Sequence, residues 1–109
     1  NVQILGGSNI RITNNVMSNS HNAAVQVTQA RALVTGLVIS GNRIDHGGCS
    51  MNISASGKGA MSVTATNNTV GITMKFKVPP CALIADKSVN VSITGSKLTD
   101  GRAIWVTRR

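Results

Sequence analysis

Leu37-Val38-Ile39-Ser40-Gly41-Asn42-Arg43-Ile44 decides the fold, because the same pattern stands at three other places in the chain. It occurs earlier as Ile10-Arg11-Ile12-Thr13-Asn14-Asn15-Val16-Met17. It returns as Val63-Thr64-Ala65-Thr66-Asn67-Asn68-Thr69-Val70 and as Val91-Ser92-Ile93-Thr94-Gly95-Ser96-Lys97-Leu98. The steps between copies are 27, 26 and 28 residues. The common form is apolar-x-apolar, a hydroxyl residue, Asn or Gly, Asn or Ser, any residue, apolar. Alternation of period two turns Ile12, Ile39, Ala65 and Ile93 to one face of a short strand. The Asn-Asn and Gly-Asn pairs then supply the unusual backbone angles of a bend. A fixed period of 20–50 residues signals stacked supersecondary units.

Other apolar segments fill the spaces between copies. Ala24-Val25-Gln26-Val27, Met51-Asn52-Ile53 and Ala103-Ile104-Trp105-Val106 alternate again, each after a few residues. A third segment precedes the motif, as Ala32-Leu33-Val34 before Leu37 and Leu83-Ile84 before Val89. Three short strands per repeat describe one turn of a solenoid, with equivalent residues stacked roughly 4.8 Å apart along its axis. Asn15, Asn42, Asn68 and Ser96 then form one column. Its first reading is an internal ladder in which stacked amides bond one to the next and satisfy the bend.

On these repeats the chain resembles the right-handed parallel β-helix, the architecture of pectate-lyase-like proteins and of many bacteriophage tailspikes. The resemblance covers essentially all 109 residues, as about four coils. It agrees with the all-β fold read from the alternation and implies a right hand, which the spacing by itself does not provide. Function follows from it less directly, because the same coil serves polysaccharide lyases, glycoside hydrolases, adhesins and structural shafts.

The chain is expected to form one β-helical domain, residues 1–109, cut from a longer protein, since the repeat is already in phase near Ile4 and neither end reads as a capping helix. No run approaches the ~18 apolar residues of a membrane helix. Glu and Tyr are absent, and Asn, Gly, Ser and Thr are abundant. Such a composition suits a turn-dense solenoid better than helices. Cys49 and Cys81 are the only cysteines, too few for a tetrahedral zinc set. They read as two small thiols about five residues out of register, with a disulfide left open.

Eleven Lys and Arg against three Asp give a net charge of +8. Nucleic acid is not the expected partner, because the cations are scattered and no aromatic residues interleave them for base stacking. Arg43 and Lys97 fall in one column, two coils and roughly 10 Å apart. Lys75 and Lys77 alternate with Met74, Phe76 and Val78 and so face outward together. These four cations either keep a flat β surface soluble or form a face for an acidic polysaccharide. Trp105 is the candidate for stacking on a sugar. Lys75, Lys77 and Asp86 gain weight because they lie in the irregular segment between Val70 and Val91, which holds Pro79 and Pro80, and irregular loops on a rigid scaffold are where binding residues concentrate.

Glycoside hydrolysis usually takes two carboxylates. Asp45 and Asp100 are the candidate catalytic pair, about two coils apart, although both stand in turn-like contexts where an aspartate often bonds local backbone. β-Elimination would draw on Arg43, Lys97 and His46. No cofactor and no metal site is expected, since His21 and His46 share no column and carboxylates are few. The resemblance therefore implies part of a phage tailspike on the virion tail, homotrimeric, whose parent binds and depolymerises a bacterial surface polysaccharide. In that reading this segment supplies scaffold and subunit contacts. The alternatives are a secreted bacterial lyase or hydrolase and a non-catalytic adhesin shaft.

Overall fold

The computed structural model describes residues 2–18, 23–47, 49–73 and 81–109. Its elements repeat in rungs. The first rung comprises β1 (Val2–Ile4), β2 (Gly7–Ser8), β3 (Arg11–Thr13) and β4 (Val16–Ser18). The second comprises β5 (Val25–Val27), β6 (Val34–Thr35), β7 (Leu37–Ser40) and β8 (Arg43–Gly47). In the third, β9 (Cys49–Ile53), β10 (Met61–Thr66) and β11 (Thr69–Thr73) are longer and fewer. The fourth has β12 (Cys81–Ala85), β13 (Val89–Thr94) and β14 (Lys97–Leu98), and β15 (Val106–Arg108) closes the series.

Every ladder between these strands is parallel. They form three walls: β1-β5-β9-β12-β15, β3-β7-β10-β13 and β4-β8-β11-β14, with β2-β6 as a small fourth sheet. Since each strand pairs with one from the next repeat, the chain is an all-β parallel solenoid. Its walls are all paired over about three turns, slightly fewer than the four coils expected.

Alternation sets the core. Ile12, Ile39 and Ala65 are buried in register on the second wall, while Met17, Ile44, Val70 and Leu98 do the same on the third. Val25, Met51 and Leu83 line the first. Each large aliphatic side chain so buried contributes on the order of 1.5–3 kcal/mol.

The bend after each second-wall strand has a local cause. Asn14, Gly41, Asn67 and Gly95 occupy one column, and their φ angles are 56°, 68°, 55° and 69°. Left-handed backbone is cheap only for Gly and, among side-chain residues, for Asn and Asp. Immediately inside the bend runs the asparagine column. The Asn42 backbone N–H and Nδ2 each donate to Asn68 Oδ1 at 3.1 Å, while Nδ2 also donates to the Ile12 carbonyl at 2.8 Å. Asn15 donates to Asn42 Oδ1, and Asn68 donates to Ser96 Oγ, in the same sense. Asn42, Asn68 and Ser96 are buried, so the ladder satisfies groups that water cannot reach.

Two expectations need correction. Leu83 and Ile84 do not precede the motif on a third wall; they pair with Met51 and Asn52 on the first. Met61–Thr66 and Val89–Thr94 run as single six-residue strands, so the separate short strand of the earlier rungs has no counterpart there. The cysteines are also in register and not five residues apart in phase. Cys49 and Cys81 are direct ladder partners, 4.3 Å apart at Cα and joined by a disulfide. Counting from the repeat motif misplaced them because the third rung carries extra residues after β11, between the motif and Cys81.

Candidate functional site

The outer face of the third wall gathers most of the described candidates. Val16, Arg43, Thr69 and Lys97 are consecutive ladder partners, so the two cations do share a column, with Thr69 between them. Both are exposed. Two residues further along, Asp45 pairs with Ser18 on one side and Gly71 on the other. A Cβ on Gly71 would lie 2.8 Å from Asp45 Oδ1. The carboxylate thus lies over the glycine and fills the place in the outward column where a side chain would otherwise stand.

The three aspartates differ in occupation. Asp100 receives the backbone N–H of Arg102 at 3.0 Å and its Nε at 2.7 Å within an exposed turn. The Arg102 backbone bond, and then its guanidinium, hold the Asp100 carboxyl below the usual carboxylate range despite some desolvation acting the other way. Asp86 is burdened first by burial, which raises its pKa, but bonds from Ser54 Oγ, Arg109 and the Ala55 N–H outweigh it and the net shift is downward. Its Oδ2 accepts from Ser54 Oγ at 2.7 Å and Ala55 N–H at 2.9 Å, and its Oδ1 accepts from Arg109 Nε at 2.8 Å. Asp86 is therefore a corner clamp and not a free binding group. Asp45 has no ion pair among the described residues.

The two expected catalytic aspartates stand at the spacing that the repeat puts between them. Leu98 is in register with Val70, which places Thr99 opposite Gly71 and Asp100 one residue beyond. Asp45 and Asp100 thus belong to the same wall two rungs apart, roughly 10 Å by strand spacing. Asp100 is engaged by Arg102 and held ionised, which suits neither a proton donor nor an unencumbered base. What the face offers chemically is a carboxylate with no ion pair among the described residues and, in the next column, two cations two rungs apart, a set that binds charged and hydroxylated ligands.

Trp105 lies just before β15 and is 41% exposed, while Ile104 beside it is buried. The outward placement matches the alternation. Lys75 and Lys77 lie outside the described residues, as do Phe76 and His21. Among the described residues no three His, Cys, Asp or Glu side chains converge as metal ligands, and no helix is long and apolar enough to cross a membrane.

One cluster escaped the sequence reading. Arg109 Nη1 donates to Asn52 Oδ1 at 2.8 Å and Nη2 to the Ile53 carbonyl at 3.1 Å, while Arg108 Nη1 donates to the carbonyls of Asp86 and Val89. Two arginines close in sequence thereby stitch three rungs at one corner. Sequence separations of 56 and 57 residues hid the contact with the third rung. The signal available beforehand was only that β15 would stack on β12 and carry Arg109 to that edge.

No family model, no curated protein and no solved structure matches the chain.

Proposed function

We propose that the chain is a polysaccharide-binding segment of a right-handed parallel β-helix of the tailspike type. The hand rests on the strong general preference of parallel crossovers for the right-handed path. The observation that carries the functional reading is the outward column of Arg43 and Lys97, two rungs apart on one wall, next to Asp45, which has no ion pair among the described residues. Cations at fixed spacing suit an acidic glycan lying along the solenoid axis, and Asp45 suits its hydroxyl groups. Trp105 offers a stacking platform. The parent protein would bind and depolymerise a bacterial surface polysaccharide, as a homotrimer on a virion tail, while this segment supplies scaffold, subunit contacts and part of the binding face.

Calorimetric titration with acidic capsular polysaccharides tests this. Arg43→Ala and Lys97→Ala are each expected to weaken binding about tenfold, as loss of a charge-assisted contact does, and added salt should weaken it further. Affinity indifferent to both substitutions would sink the reading. Release of reducing or unsaturated ends would add catalysis to binding.

A second reading, a secreted polysaccharide lyase or hydrolase or an adhesin shaft, is favoured by one specific observation. The Cys49–Cys81 disulfide suits a protein matured in an oxidising compartment better than one assembled in a reducing cytosol.

A further inference from the structure

We infer that the outer face of the second wall, β3-β7-β10-β13, is an ice-binding surface, a function separate from the polysaccharide reading and resting on a different wall. Thr13, Ser40, Thr66 and Thr94 are consecutive ladder partners, so a hydroxyl side chain stands on every rung of that column. Thr64 and Ser92 add two more hydroxyls two residues back along β10 and β13, in a column that Val38 and Arg11 complete. By strand geometry the backbone positions that carry the hydroxyls repeat about every 4.8 Å across rungs and about every 6.6 Å along a strand.

The array is held in place. Its two middle strands pair on both sides, and Thr66 Oγ1 donates to Ser40 Oγ at 3.0 Å. A single hydroxyl gains little over water when it bonds a ligand. A rigid two-dimensional set gains only from a ligand whose own bonding groups repeat on a lattice. The four threonines, Thr13, Thr64, Thr66 and Thr94, add a methyl beside their hydroxyls, which disfavours disordered water over the rows.

Charge and chemistry select the occupant. On a chain of net charge +8, the outward residues of β7, β10 and β13 carry no charge, and Arg11 stands alone at the β3 edge. A polyanion is drawn elsewhere, to the third wall. Crystalline polysaccharides present C–H faces that aromatic rings recognise, and no aromatic side chain points out from this wall. Ordered water presents hydrogen-bonding groups alone, which is what the rows match.

The test is an ice-recrystallisation assay with the whole chain, beside Thr64→Lys/Ser92→Lys, Thr66→Val and Arg43→Ala. Both lysine positions are exposed, and far-UV circular dichroism checks that the fold persists. The expected result is arrest of grain growth and faceting of crystals by the parent chain. The double lysine variant should lose the effect, Thr66→Val should weaken it and Arg43→Ala should leave it intact. Absence of any effect of the parent chain on ice overturns the proposal. So does an effect that survives the lysine substitutions, or adsorption of the chain to crystalline cellulose in place of ice. Arg43→Ala separates the two functions, since it lowers glycan affinity and leaves ice growth control unchanged.

Discussion

At the bend, one column alternates Asn14, Gly41, Asn67 and Gly95, and the alternation has a steric reason as well as a conformational one. A Cβ placed on Gly41 would fall on Asn14 Oδ1, and one on Gly95 on Asn67 Oδ1. Each asparagine amide occupies the space that the next rung's glycine leaves empty. Gly41→Ala therefore meets both a positive φ and a collision, and should lower stability by at least ~1 kcal/mol. Asn67→Gly, which keeps the permitted backbone and creates no collision, should cost much less. Urea unfolding of the two variants measures the difference, and equal costs would reject the explanation. Asp86 supplies a pH dependence at the same scale. Its folded pKa is depressed below 3.8 by the Ser54, Arg109 and Ala55 bonds acting against burial. The unfolded chain therefore takes up this proton first as pH falls, so the stabilisation is fully present above the unfolded value and is lost as pH drops through the folded one. Denaturation midpoints of the parent chain and Asp86→Asn, followed downward from neutral pH, should converge below about pH 4. A constant difference throughout would place the stabilisation elsewhere.

Between elements, register is what parallel pairing determines, and the cysteines report on it. The disulfide joins the first residues of β9 and β12, adjacent strands of the first wall, and closes a chain segment with a sequence separation of 32. A loop of that length gives about 3–4 kcal/mol in the chain-entropy account. Reduction, or Cys49→Ala/Cys81→Ala, should lower the unfolding midpoint accordingly while leaving the asparagine ladder intact, because the two features sit at different corners. Alkylation and mass measurement before and after reductant check the linkage itself. Free thiols in chain prepared under oxidising conditions would remove both the bond and the argument for a secreted protein. At the other end of the fourth rung, an antiparallel bridge between Lys97 and Ala103 covers the edge of β14. Ile104 then folds in beneath it, and the arginines after it lock β15 to its neighbours. Exposed strand edges invite further pairing, and here the chain folds back over one of them.

For the molecule as a whole, three walls carry three chemistries: amides at Gln3, Gln26 and Asn52 on the first, hydroxyls on the second, and opposite charges on the third. The tailspike proposal predicts a trimer by light scattering, with Val16 and Leu33, both large, apolar and exposed, protected from solvent in the assembly. A stable monomer would turn the proposal towards the secreted alternative. The repeat, the inward alternation and the asparagine column were legible in the sequence because each depends on spacing within one stretch and on the short reach of a strand. The shared column of Arg43 and Lys97 was legible for the same reason, since two copies of the motif stay in phase. Other features came from the tertiary structure alone. Cys49 met Cys81, Arg109 reached Asn52 and Ile53, and Asp86 and Asp100 were each claimed by an arginine. These contacts depend on how many residues each turn inserts outside the motif and on which side chain fills the space at a corner. Local periodicity determines which face a residue takes; only the closed, stacked chain decides which neighbour it meets there.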